Sequence, residues 1–392
     1  MVYLQLAVYG YFLYGFTPSV TLLRDDEHVS RAISGLHGTG LALGAVLVGI
    51  FAPRLVARFG RGPMMRAALV ILSTGIILFV SCSIVAVTIT GAVIAGFGGT
   101  ILANVSAAML TSHHKGSAGG TAVTEANGLG SGFGIFAPLL ISAAIALKFG
   151  WRAGMLVTVL IAIGVGVTFR KTLSSDTGGR IVSHTAPHSR HMSFEFWQAC
   201  SVLVMTTAIE FCMTIWSSDV LQNHDGLSKG TAAIGVTAIV AGMTIGRLTT
   251  GRITLRHSAD VLLICVFALT LVGFAAFWVS TLVWLAFAGL FITGLGIALH
   301  FPLAITRVIG FSQGRADLAT GYASLGTGIA IGIAPFALGA LADHVGSHTA
   351  LLAVPVFIVL ATVGVATSRR APDPVPPSAV PIAIGDVPGL AN

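Results

Sequence analysis

Two carboxyl groups in this chain are placed to exchange protons away from bulk water. Of the 14 acidic residues, Glu125 and Glu210 lie well inside long apolar stretches. A carboxylate is costly to hold in such surroundings, so it tends to mark a wet cavity or a proton relay. Thr206, Glu210, Met213, Thr214 and Ser217 follow the i, i+4, i+7, i+8, i+11 spacing of one helix face. That polar stripe predicts a cavity lining, with Glu210 as proton carrier and Thr206, Met213 and Thr214 open to a ligand. The alternative is a structural carboxyl bonded to a neighbour. Trp197 and Trp216 flank Glu210 and suit two interfacial belts, which would set it roughly 5 Å outward of their midpoint. Glu125, beside Asn127, lies nearer the end of its stretch, where a bond to loop backbone serves as well as proton exchange. Asn104 and His300 are further polar groups inside apolar stretches, and a histidine can titrate near neutrality. Tyr11 and Tyr14 share a helix face; they suit stacking on a substrate or ordinary aromatic packing. No Lys or Arg occupies the middle of a stretch, so no guanidinium fork awaits a phosphate or dicarboxylate. The expected ligands are therefore neutral or cationic.

The elements carrying these residues are membrane helices. Residues 67–114 and 261–306 contain no Asp, Glu, Lys or Arg, and each run suffices for two crossings of a bilayer. Hydrophobic residues make up 55% of the 392-residue chain and charged residues 9%, far below the quarter usual in soluble domains. Twelve helices are predicted, over 3–22, 34–56, 64–85, 88–110, 119–145, 152–169, 194–220, 231–251, 260–279, 283–306, 318–341 and 350–367. Short turns at Ala86-Val87 and Ser280-Thr281 make hairpins of neighbours. The 48 glycines favour close helix packing, and the lack of period-2 alternation argues against a β-barrel.

With the N-terminus inside, 16 of the 21 Lys and Arg residues fall on the cytoplasmic side, as positive-inside orientation requires. A multi-pass protein of the inner (plasma) membrane with both termini cytoplasmic is expected. Residues 1–169 form one six-helix half and 194–368 the other. Residues 170–193 read as a cytoplasmic linker and 369–392 as a disordered Pro-rich tail. His184, His188 and His191 in the linker lack an accompanying Cys or acid cluster, so a solvated segment is expected there rather than a metal site. Cys82, Cys200, Cys212 and Cys265 lack CxxC spacing and read as free thiols. The net charge of +7 is scattered, which argues against nucleic acid as a partner.

The halves overlay with a shift of about 197. Phe136-Ala137-Pro138-Leu139 meets Ile333-Ala334-Pro335-Phe336, and Pro53-Arg54-Leu55-Val56-Ala57-Arg58 meets Gly251-Arg252-Ile253-Thr254-Leu255-Arg256. Matched halves with a site between them are a transporter signature. Arg58-Phe59-Gly60-Arg61 resembles the cytoplasmic motif of the major facilitator superfamily, G-x-x-x-D-R-x-G-R-R/K. Arg58, Gly60 and Arg61 match; Pro53, Ala57 and Gly62 depart from the pattern. Gly150-Trp151-Arg152 is similar to a pairing common in that family, and the even-spaced glycines before Pro138 partly match its antiporter motif. The resemblance implies an all-α membrane protein of twelve helices, in two pseudo-symmetric halves around a central cavity. It also implies that helix seven lines the cavity and that Arg58, Gly60 and Arg61 act as a conformational latch, with positive-inside anchors as the alternative.

Together these features predict a monomeric secondary transporter of a small organic solute, working by alternating access without a cofactor. Proton-coupled efflux of a neutral or cationic lipophilic compound is the first expectation, with Glu210 and Glu125 as proton carriers. Proton-coupled uptake of a small neutral nutrient is the second. A polytopic membrane enzyme or a non-transporting receptor are the alternatives outside transport. Neither a G-x-x-x-x-G-K-[ST] motif nor an ATPase domain is present to drive pumping.

Overall fold

The computed structural model describes residues 2–113, 117–169, 192–249, 258–313 and 315–368. The proposed tail, nearly all of the linker with its three histidines, and the loop carrying Arg252 and Arg256 lie outside these residues. Among the described residues twelve helices are long and apolar enough to cross a membrane, here termed spans one to twelve: Val2–Glu27, Arg31–Ala52, Arg61–Ser81, Val85–Leu110, Glu125–Ala146, Trp151–Thr168, Phe194–Asn223, Lys229–Thr249, Ala259–Val279, Val283–Gly310, Ala319–Val345 and Ser347–Thr367. Among the described residues there is no strand. The turn expected at Ala86-Val87 comes earlier, at Cys82–Ile84, and Val85 already opens span four. Ser81 Oγ donates to the Leu78 carbonyl at 2.9 Å, a competition for backbone acceptors that Ala86 and Val87 cannot offer.

Prolines explain where spans break. Span five is carried by two helices, Ser117–Gly134 and Phe136–Ala146, and span ten by Val283–Ile297 and His300–Gly310. Pro138 and Pro302 each lack the N–H owed to the carbonyl four residues back, and their rings crowd it. Pro18 likewise leaves the Tyr14 carbonyl without its helical donor, but Thr17 Oγ1 donates to it at 3.4 Å and span one continues unbroken.

The repeat is written in glycines. A Cβ at Gly75 or Gly273 would lie 2.3 Å from a backbone nitrogen, that of Ala95 or Thr293. At Gly91 or Gly289 it would lie 2.5 Å from the nitrogen of Phe79 or Phe277. These pairs fix span three on four and span nine on ten. Gly44 against Val93 is matched by Gly242 against Phe291, which fixes span two on four and span eight on ten. All these equivalent positions are 198 residues apart. Only hydrogen fits at such contacts, and removing side chains lets helix backbones approach closely in lipid.

The halves meet along span two with eleven, five with eight, and one with seven. This burial corrects one expectation. Trp216 is not an interfacial anchor: it is fully buried, and its Nε1 donates to the Pro335 carbonyl at 3.0 Å. Span seven is covered there by spans one and eleven rather than by lipid. Trp197, by contrast, is exposed. All four cysteines are free, but Cys265 is exposed and Cys82 half-buried, so only Cys200 and Cys212 are core thiols.

Candidate functional site

Glu210 is partly exposed although its neighbours Ile209 and Cys212 are fully buried. An internal carboxyl with accessible surface in such a context faces a cleft. The groups around it come from both halves. Arg247 of span eight interacts electrostatically with Glu210, and so do Tyr14 and Tyr9 of span one. The Arg247 guanidinium also donates to Ser131 Oγ of span five and to the Tyr14 oxygen. Tyr9 shares a hydrogen bond with Thr100 of span four. One acid, one base, two phenols and two hydroxyls thus converge where spans one, four, five, seven and eight meet.

Arg247 corrects the expectation that no cation reaches the interior. It sits two residues from the end of span eight, where sequence position alone assigns it to the aqueous side. Side chains on a helix lean toward its N-terminus, and the N-terminus of span eight is at the opposite face. A long side chain therefore carries its charge back into the protein, as lysine and arginine stems commonly do. Ser131 gives no signal in the sequence because it stands among glycines, Gly128, Gly130, Gly132 and Gly134.

The other expected residues fall elsewhere. Tyr11 parts from Tyr14: it is buried and donates to the Gly154 carbonyl at 3.1 Å within its own half. Thr206 and Thr214 are buried, donating to Leu203 and Glu210 carbonyls of their own helix, and Met213 is fully buried. The polar stripe is thus mostly spent on self-satisfied hydroxyls, with Glu210 its one free carboxylate. His300 is buried, 3.1 Å from Thr270 Oγ1 and edge-on to Phe267, both of span nine. Glu125 is exposed and accepts from Tyr3 at 3.5 Å; Asn104 and Asn127 are also exposed. Arg58 is exposed and stacks over Phe59, while Gly60 takes a φ of 80° to turn the chain into span three, which Arg61 opens. A pocket of about 500 Å³ lies between spans three and six, lined by residues including Arg66, Ser73 and Ile163, on elements that carry neither Glu210 nor Arg247.

The ends bearing Arg24, Arg31 and Lys229, termed outer, are closed by charge. Asp219 of span seven is fully buried and pairs with both Arg24 and Arg31 of the other half, the latter at 3.0 Å. Asn223 Nδ2 also donates to Asp219 Oδ1 at 2.9 Å. Asp25 meets Lys229 and Gln222, each at 2.9 Å. Asp343 accepts from the backbone N–H of Arg31 and Ala32 at 2.8 and 2.9 Å, satisfying the unpaired first turn of span two across the junction. The pairs of Asp219 with Arg24 and Arg31 and of Asp25 with Lys229 thus join the halves at this end.

The Major Facilitator Superfamily model matches residues 2–194 and 198–388. The chain belongs to the major facilitator superfamily. No curated protein matches it significantly. Among solved structures, a bacterial homologue of the human lysosomal transporter Spinster, inward-facing and unoccupied, aligns over 93% of this chain and 94% of its own, at 15% identity and a TM-score of 0.69. The xylose transporter XylE from E. coli, partially occluded and inward-open, aligns over 92% and 94%, at 10% identity and a TM-score of 0.73. Identities this low speak to the fold. As a member of the major facilitator superfamily, the chain is a multi-pass membrane transporter of the alternating-access type, and not an enzyme.

Proposed function

We propose that the protein couples proton movement to export of a neutral or cationic lipophilic compound, with Glu210 as the proton carrier. The observation that carries this reading is the placement of Glu210 and Arg247 opposite Tyr9, Tyr14 and Ser131 at the junction of the halves. Ionised Glu210 balances Arg247, so the resting site is neutral overall and the phenol faces offer stacking to an apolar or cationic solute. Protonation of Glu210 removes that balance and changes what Arg247 holds, which ties proton occupancy to contacts bridging the halves. The test is a solute screen in proteoliposomes with and without an imposed pH gradient. Accumulation of an uncharged or cationic solute only with the gradient supports the proposal; gradient-independent equilibration of every transported solute defeats it.

Arg247 favours a second reading. With Glu210 protonated, a guanidinium in the cleft suits an anionic solute, which would then travel with a proton in the same direction. The same screen separates the two by the charge of the accepted solute.

The orientation proposed is the one with both termini cytoplasmic, which makes the charged closure extracytoplasmic. Arg58 and Arg61 then belong to the cytoplasmic side. If they latch a conformation, Arg58→Ala lowers turnover with the protein still in the membrane. Wild-type transport by the Arg58→Ala, Arg61→Ala double variant would leave them as topology anchors only.

A further inference from the structure

Glu27, Thr88 and His37 form a buried chain at the outer end of the first half. The Glu27 and His37 side chains are fully buried, and Thr88 is fully buried too. His37 Nδ1 lies 2.9 Å from the Ser34 carbonyl, His37 Nε2 lies 2.9 Å from Thr88 Oγ1, and Thr88 Oγ1 lies 2.6 Å from Glu27 Oε1. Thr88 Oγ1 also reaches the Val85 and Ile84 carbonyls of its own helix, but at 3.1 and 3.3 Å, so the much shorter Glu27 contact takes precedence for its hydrogen.

Counting hydrogens decides what this chain holds. A carbonyl only accepts, so the Ser34 contact requires a hydrogen on Nδ1. The two remaining contacts each need one hydrogen, and the threonine hydroxyl supplies one. A neutral imidazole with an ionised carboxylate therefore leaves one contact without a hydrogen. Adding one proton completes the set in two equivalent ways. Either Nε2–H donates to Thr88 and Thr88 donates to an ionised Glu27, or protonated Glu27 donates to Thr88 and Thr88 donates to neutral His37.

We propose that Glu27, Thr88 and His37 constitute a one-proton binding site, in which the proton passes between carboxyl and imidazole through the Thr88 hydroxyl. In the transfer the Glu27 O–H bond breaks as an O–H bond forms at Thr88. The original Thr88 O–H breaks as an N–H bond forms at Nε2. No atom or charge is left over. The occupied site is neutral overall, which suits its burial.

The surroundings supply an entrance and an output. Asp26 and Arg152, paired and each about 30% exposed, are the charged groups acting on Glu27. Phe79 covers His37 edge-on and carries no charge. Arg24 is one turn from Glu27 on span one, and Arg31 roughly 9 Å along span two from His37. The proton thus ties together, with span four, the two spans whose arginines hold Asp219. Losing it leaves one buried hydrogen bond unmade directly behind the outer closure. This site stands independently of the role proposed for Glu210.

The test is nitrogen NMR of histidine in the full chain in liposomes, with the His37 signal assigned by its loss in His37→Gln. In the wild type, His37 keeps Nδ1–H throughout and its Nε2 environment changes in the same pH step as the Glu27 carboxyl. In Glu27→Gln the amide donates to Thr88 permanently, so His37 is expected to stay a neutral Nδ1–H tautomer at every pH from about 5 to 9. Thr88→Val removes the relay while keeping shape, and the His37 and Glu27 transitions are expected to separate. Identical His37 titration in the wild type and either variant would overturn the proposal, as would a His37 with Nδ1 unprotonated.

Discussion

Glu210→Gln is expected to reduce gradient-driven solute accumulation to the level of protein-free vesicles while leaving solute binding in place. The amide keeps the shape and imitates the protonated carboxyl, so Arg247 remains permanently in the arrangement that follows protonation. Exchange of solute across the membrane should persist, because it requires no change in proton occupancy. Glu210→Asp keeps the titratable group but withdraws it by one methylene from the Arg247 and tyrosine cluster. It is expected to retain partial activity with a displaced pH optimum. Uptake or efflux measured with and without a gradient checks both variants. Wild-type accumulation by Glu210→Gln would remove Glu210 from the coupling and direct attention to Glu125.

Asp219→Asn is expected to open the outer end. Asp219 is fully buried and shared by Arg24 and Arg31. Removing one partner of a buried ion pair costs about 3–5 kcal/mol where the partner charge is left uncompensated; Arg24 keeps Asp25 at 2.8 Å, so the low end of that range applies. That cost falls only on the conformation in which the outer ends touch. At about 1.4 kcal/mol per factor of ten, the equilibrium between closed and open outer ends should shift by about two orders of magnitude. Spin labels at Ser81 and Ser228, in opposite halves at the outer end and both exposed, report the change on a cysteine-free background. The wild type should give one short distance and Asp219→Asn a longer, broader distribution. Unchanged distances would show that the network decorates the closure without holding it.

Much of the fold was legible because lipid imposes simple rules. Charge-free runs in 67–114 and 261–306 marked paired crossings, and both are hairpins in the structure. The repeat was legible through Pro138 and Pro335, yet the stronger record was the glycine set, Gly75 with Gly273 and Gly91 with Gly289, whose spacing of 198 matches contact for contact. Glu210 and Tyr14 stand out in the sequence because a carboxylate and a phenol are conspicuous in an apolar stretch. Arg247 was not, since its depth is set by the lean of its side chain rather than by its place along the helix. Asp219 stands near the end of its helix, where position alone suits a surface acid; what buries it is the other half of the molecule, which local sequence does not describe. Thr206 and Thr214 misled in the opposite sense, because a threonine can satisfy its hydroxyl on its own helix and needs no cavity.

The coupling of solute to proton movement through Glu210 is tested most directly by the pH inside proteoliposomes. The vesicles enclose a pH-sensitive dye, and a transported solute is added outside with no gradient imposed. Exchange predicts that solute entering through the wild-type protein drives protons out, so the interior turns alkaline, and that Glu210→Gln gives no such signal. Solute entry through the wild type with the interior pH unchanged would contradict proton coupling altogether.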